Sequence, residues 1–124
     1  MTSWTREDLD AIGAADELGI AALRPEGTLR SYTTIWVVRV GDALYARSYR
    51  GQHATWYQAV RRRPQGRIRA DGVERDAAFE HPAGADEDAI DAAYRSKYSR
   101  YGGTYVDPMI APSARATTVR LNPA

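Results

Sequence analysis

The strongest constraint on this chain lies between residues 33 and 51. Thr33 to Val40 is a β-branched and aromatic stretch, with Thr34, Trp36, Val38 and Val40 on one side of the pleat and Thr33, Ile35, Val37 and Arg39 on the other. Both sides are largely apolar, so the segment needs cover front and back. That requirement fits a central strand of a closed barrel with helices outside it. Gly41-Asp42 is a tight-turn pair, and Leu44 to Tyr49 returns as the partner strand.

The remaining segments supply strands and covers. Thr5-Arg6-Glu7-Asp8 reads as a capping box, with Trp4 and Leu9 placed to staple the entry to a short helix ending near Ala15. A first strand follows at Gly19–Leu23, closed by Pro25-Glu26-Gly27. His53-Ala54-Thr55 leads into a second helix that contains Trp56, Tyr57 and Val60 and stops at Pro64. Arg67–Ala70, the turn Asp71-Gly72, and Val73–Phe79 form a second hairpin. Asp86-Glu87-Asp88 sets negative charge at the start of a third helix with Ile90, Ala93, Tyr94 and Tyr98 as its apolar stripe, ending at Gly102-Gly103. Beyond Pro108 and Pro112, Ala114–Leu121 reads as a last strand. The expected architecture is α+β: six antiparallel strands in a small barrel with three flanking helices. Two tight hairpins deny a parallel sheet most of the crossovers it needs. At 124 residues with no linker or repeat, the chain is expected to form a single domain over residues 1–124.

The inventory of reactive groups is short. There is no cysteine, which removes thiolate nucleophiles and cysteine-held zinc, and His53 and His81 are the only histidines. Neither has the spacing of a metal site or a catalytic triad, so no metal is expected. No nucleophile elbow, Walker loop or zinc-protease motif occurs. The longest strongly apolar run, Ile35–Val38, is far too short to span a bilayer, and the start lacks a secretory pattern; a cytoplasmic protein without membrane association is expected. Net charge is only +1, too low for a protein that coats nucleic acid. Yet Arg61, Arg62, Arg63, Arg67 and Arg69 cluster, which suits either a small anionic ligand or a solvated face.

One constellation points to chemistry. Arg47-Ser48-Tyr49-Arg50-Gly51, then His53 and Trp56-Tyr57, runs from a strand end through a glycine-containing bend into a helix start. Such a bend offers backbone amides, a serine hydroxyl and a positive helix terminus to a phosphate. Arg50, and Arg30 in the loop Gly27-Thr28-Leu29-Arg30, would add charge-assisted hydrogen bonds. Trp36 or Trp56 would supply a flat wall for a planar ring. The same residues also read as core tryptophans, turn formers and solvated arginines.

The stretch Thr33–Gly51, continuing through His53-Ala54-Thr55-Trp56-Tyr57 to Pro64, resembles the FMN-binding split-barrel superfamily, and within it the deazaflavin-dependent nitroreductase-type branch. Over nearly the whole chain, including Gly27–Arg30 and Asp91–Tyr98, the sequence is similar to an uncharacterised bacterial domain-of-unknown-function family placed beside them. The resemblance implies a six-stranded split barrel, a homodimer, and a flavin or deazaflavin (FMN or the deazaflavin) bound in a groove near the subunit interface. Carried over by position, it implies that Arg30, Thr34, Ser48, Arg50 and Gly51 hold the cofactor's phosphate, with Trp56 and Tyr57 on the helix that follows; Trp36 joins them only as the flat wall read from the residues above. It gives Arg61, Arg62 and Arg63 an anionic oligoglutamate tail as partner. The redox branch carries Lys-Ser-Gly before its loop arginine, where this chain has Pro25-Glu26-Gly27-Thr28-Leu29-Arg30.

Two functions follow as expectations. One is an oxidoreductase transferring a hydride between the cofactor and a small organic substrate, with a tyrosine among Tyr94, Tyr98, Tyr101 and Tyr105 as proton donor. The other is a barrel that binds a small anionic or aromatic ligand without turnover.

Overall fold

The computed structural model describes residues 3–124. Helix α1 (Arg6–Ala14) begins where the Thr5 hydroxyl accepts the Asp8 amide at 3.1 Å, and Trp4 and Leu9 are buried in one core, as the staple requires. The Asp8 carboxylate itself pairs with Arg75 at 3.1 Å.

Seven antiparallel strands follow: β1 (Leu18–Ala22), β2 (Thr33–Ile35), β3 (Val38–Val40), β4 (Ala43–Ala46), β5 (Gln65–Ala70), β6 (Val73–Glu80) and β7 (Val119–Pro123). Their order is β2-β1-β5-β6-β7-β4-β3. The two edge strands are consecutive in the chain and joined only by Trp36 and Val37. The sheet therefore curls until its edges lie a dipeptide apart, giving a half-barrel.

That topology corrects the expectation of six strands. The single strand expected over 33–40 is two, because its ladder partner changes from β1 to β4 at Trp36-Val37. Where neither ladder reaches, α3 satisfies the backbone: the Val37 amide donates to the Tyr98 hydroxyl (3.2 Å), and the Val37 carbonyl accepts from Lys97 Nζ (2.7 Å). Side-chain alternation survives the break. Ile35 and Val37 join the core inside the barrel, while Trp36, Val38 and Val40 join a second core outside β3–β4. The two-sided apolar pattern is thus explained by two cores.

Five helices, not three, cover the sheet: α1, α2 (Thr55–Arg62), α3 (Glu87–Tyr98), α4 (Gly103–Ile110) and α5 (Pro112–Arg115). Asp86 caps α3 by accepting the Ala89 amide at 3.0 Å, and Ile90, Tyr94 and Tyr98 are buried against Val38 and Tyr45. The last strand starts at Val119 rather than Ala114. Pro112 opens α5, a position where its missing amide costs nothing, and Pro108 lies inside α4. Both prolines read as breakers in the sequence and instead sit within short helices. The second hairpin turns at Asp71 (φ 50°) and Gly72 (φ 81°), the left-handed pair of a type I′ turn.

Candidate functional site

Strand β4 ends at Ala46, short of the expected Tyr49, and the chain turns sharply. Arg47 is the first residue of that corner and is wholly buried. Its guanidinium donates to Asp91 (2.5 Å), Glu87 (2.7 Å), the Thr118 hydroxyl (3.0 Å) and the Met109 carbonyl (3.0 Å), with the Tyr94 ring 5.5 Å away. Four elements, β4, α3, α4 and the approach to β7, meet on this one side chain. The sequence signal for it was Glu87 and Asp91, four residues apart on α3 and hence on one face, in a segment read only as a charged helix start.

Ser48 follows. Its amide donates to the Thr117 hydroxyl at 2.8 Å, and the Gly51 amide donates to the Ser48 carbonyl at 3.1 Å. Gly51 takes φ 62°, the left-handed region that favours glycine. Two of the amides expected to cradle an oxyanion are therefore already bonded, because a tight buried bend must satisfy its own donors. What the corner leaves open is different. The Ser48 Oγ is fully buried and has no hydrogen-bond partner. Helix α2 starts at Thr55, and Ala54 before it supplies no side-chain cap, so its first-turn amides and positive pole remain available. Arg50 is exposed and forms no ion pair among the described residues.

These groups face a cavity of about 720 Å³ between strand β2 and the start of α2. Five of the expected residues line it together: Thr34, Trp36, Ser48, Arg50 and Trp56. Three do not. Arg30 lies on the 23–30 loop, where its amide bonds Ala22; Gly51 sits beneath the corner against Ser113; Tyr57 is buried in the barrel core, edge-on to His81 at 5.4 Å. Arg61–Arg63 lie at the far end of α2 and do not border the cavity.

The walls are aromatic. Trp36 stacks parallel on Tyr98, with centroids 3.9 Å apart and planes 1° apart. Tyr98 is itself buried and donates to the Asp16 carbonyl at 2.8 Å, so the indole rests on a fixed support. Trp56 forms the opposite wall, and Tyr49 and Tyr105, both largely exposed, stand at the rim with His53. Of the four tyrosines considered as proton donors, only Tyr105 reaches the cavity. Tyr94 and Tyr98 are buried, which pushes both phenols above their ordinary range, and Tyr101 leans on Asp16 and Arg100. Strand β2 is a sheet edge, so its outer backbone groups, unpaired in the ladder, run along the cavity wall.

A curled antiparallel half-barrel with a lateral aromatic cavity defines the split-barrel class. The chain belongs to the family described as an uncharacterized protein conserved in bacteria (DUF2255), whose pattern matches residues 8–121. No curated protein matches it. Among solved structures, ChuZ from Campylobacter jejuni is 12% identical with a TM-score of 0.65, over 95% of this chain and 50% of that one. An F420 reductase is 18% identical with a TM-score of 0.58, over 93% and 90%. A FAD-binding protein from Mesorhizobium loti is 15% identical with a TM-score of 0.55, over 98% and 89%. At these identities the shared property is the fold. Among the described residues no group of three or more metal-ligating side chains gathers, and no helix is long and apolar enough to cross a membrane.

Proposed function

We propose that the cavity binds a flavin-type ring, FMN or a deazaflavin, with its phosphate at the Ser48–Arg50 corner, and that the protein works as an oxidoreductase on a small organic substrate. The observation that carries this reading is Ser48 Oγ. A buried hydroxyl without a protein partner costs about 1–3 kcal/mol, and one in a cavity wall has its bonding capacity left for a group from outside the chain. Ser48 lies in the wall of a cavity whose other features suit the same ligand: two indoles, an unpaired arginine and an uncapped helix start. The residues present therefore fit the group.

In this reading Ser48, Arg50 and the first-turn amides of α2 hold the phosphate. Trp36, kept in place by Tyr98, and Trp56 hold the ring, and the free edge of β2 offers backbone hydrogen bonds to its polar rim. The bound ring supplies the hydride chemistry. The chain's own part is to orient it, exclude water through the aromatic walls, and offer the Tyr105 hydroxyl as proton donor. A homodimer, as the family resemblance implies, working in the cytoplasm completes the reading; Tyr49 and Tyr105, 62% and 60% exposed, are the residues we expect a second copy to shield.

A non-catalytic alternative has one specific observation in its favour. His53, the only imidazole at the cavity, is exposed and has no hydrogen-bond partner among the described residues to fix its tautomer. Catalytic histidines are normally oriented by such a bond.

Titration of the purified protein with FMN and with a deazaflavin, followed by ring absorbance and fluorescence, tests the proposal. Saturable binding of one ring is expected, weakened about tenfold or more by Arg50→Ala, the scale of a lost charge-assisted hydrogen bond. Binding of neither ring overturns the reading; binding without reduction of any acceptor selects the non-catalytic alternative.

A further inference from the structure

A second cleft of about 460 Å³ lies on the outer face of the sheet, and Thr34 borders both it and the main cavity. The register places Thr34, Gly19, Arg69 and Glu74 side by side across β2, β1, β5 and β6. Gly19 is anomalous there. Glycine within a strand weakens it by about 0.5–1 kcal/mol relative to alanine, so its presence needs a reason. The reason is space: a Cβ at residue 19 would stand 3.1 Å from both Arg69 Cγ and Tyr32 Cδ1.

The vacated space is filled by a built pair. The Arg69 guanidinium lies over the Tyr32 ring, 4.1 Å from its centroid. Tyr32 is anchored by donating its hydroxyl to Glu74 at 2.7 Å, and burial together with that carboxylate pushes the phenol up to about 12. Its neighbours on the same hairpin, Arg67 and Arg75, each pair with a carboxylate, Asp76 at 3.0 Å and Asp8 at 3.1 Å. The exposed Arg69 side chain forms neither an ion pair nor a hydrogen bond among the described residues. The ring holds its fork of donors in the cleft with no acceptor.

The rim carries the opposite sign. Glu17, Asp71 and Glu74 all border the cleft; Glu74 is taken up by the Tyr32 hydroxyl and Arg67, whereas Glu17 and Asp71 have no cationic partner among the described residues. A simple anion attracted by Arg69 would meet these carboxylates; a simple cation attracted by them would meet Arg69. A molecule bearing both charges a few bonds apart satisfies both ends. We propose that this cleft binds a small zwitterion of the α-amino-acid type, its carboxylate forked by Arg69 and its ammonium group directed to Glu17 and Asp71. The proposal does not depend on what the main cavity holds.

The test is an amide NMR titration of the full chain with L-alanine, and separately with propionate and with ethylamine as its two charged halves. Saturable shifts at Gly19, Thr34 and Gly72 are expected with alanine, and binding at least tenfold weaker with either half. Arg69→Gln should reduce alanine binding tenfold or more while leaving FMN titration of the main cavity unchanged. Gly19→Ala, whose Cβ crowds both Arg69 and Tyr32, should weaken alanine binding less, and Tyr32→Phe, which keeps the ring but loses its anchor on Glu74, should fall between the two. Three results would overturn the proposal: no saturable shifts with alanine, binding of propionate or ethylamine as tight as that of alanine, or alanine binding indifferent to Arg69→Gln. A fourth is a sedimentation shift showing that Arg69→Gln breaks a dimer, since the cleft is then a seat for a second copy.

Discussion

Ser48 and Arg47 are adjacent in the chain and answer opposite needs. Arg47 is a buried cation with every direction filled, whereas the neighbouring hydroxyl is buried with none. Removing each gives a distinguishable result. Ser48→Ala deletes an unsatisfied polar atom, so the apo protein should be unchanged or up to about 1 kcal/mol more stable in urea while its affinity for FMN falls. A loss of stability instead would mean that the hydroxyl is bonded within the fold. Arg47→Met removes the buried cation shared by Asp91 and Glu87, leaving Asp91 only Arg115 at 3.4 Å, and should cost about 3 kcal/mol in the same denaturation. Adding Glu87→Leu and Asp91→Leu should return much of it, because apolar groups then replace the whole cluster rather than half of it.

Elements in this fold are shaped by where they meet others. The 33–40 segment has the composition of one long strand, and its partners divide it in two; the Val37 peptide then depends on Tyr98 and Lys97 from α3. Strand β5 shows the same dependence at Gly66. A Cβ there would lie 1.9 Å from the Ala21 carbonyl oxygen, a backbone atom that can yield only if β1 and β5 separate. Gly66→Ala is therefore expected to destabilise by about 2–3 kcal/mol, or to prevent folding, read by thermal melting. A melt unchanged within a few degrees would show that the two strands are further apart than this.

At the scale of the whole molecule, the curl of the sheet determines what lies near what. It creates an inner core and an outer one and leaves half-buried groups where α3 crosses the edge. Lys97, the chain's sole lysine, is one of these: burial lowers its ammonium to about 8, with only a carbonyl and the Tyr98 ring as close partners. Between about pH 8 and its ordinary value of 10.5 the unfolded chain binds a proton that the folded chain has released, so stability rises with pH across that window. Tyr94 and Tyr98 act in the reverse sense above pH 10, since the unfolded chain loses their protons first. Urea midpoints should thus climb from pH 7.5 to 10 and fall beyond, and Lys97→Met should flatten the climb. A midpoint that declines steadily from pH 7.5 in the unmodified protein would contradict this assignment.

What the sequence determined by itself is local. The Thr5 cap, the Trp4 staple, the Asp71-Gly72 turn, the Asp86 cap and the two-sided pattern of 33–40 depend on residues a few positions apart, and each is present in the structure. The 47–56 stretch was likewise legible as a bend from a strand end into a helix start, and its serine, arginine and tryptophan lie along one cavity in the structure. Tertiary structure decided the rest. Which amides of that bend stay free depended on Thr117, which is 69 positions from Ser48. Burial of Arg47 required acids from α3, and Arg30 and Tyr57 fall outside the cavity because one lies on a loop folded back on Ala22 and the other packs into the barrel core. Hydrogen-bond valence and packing are settled by whatever neighbours the closed fold brings up, and for groups this distant in sequence no local spacing encodes them.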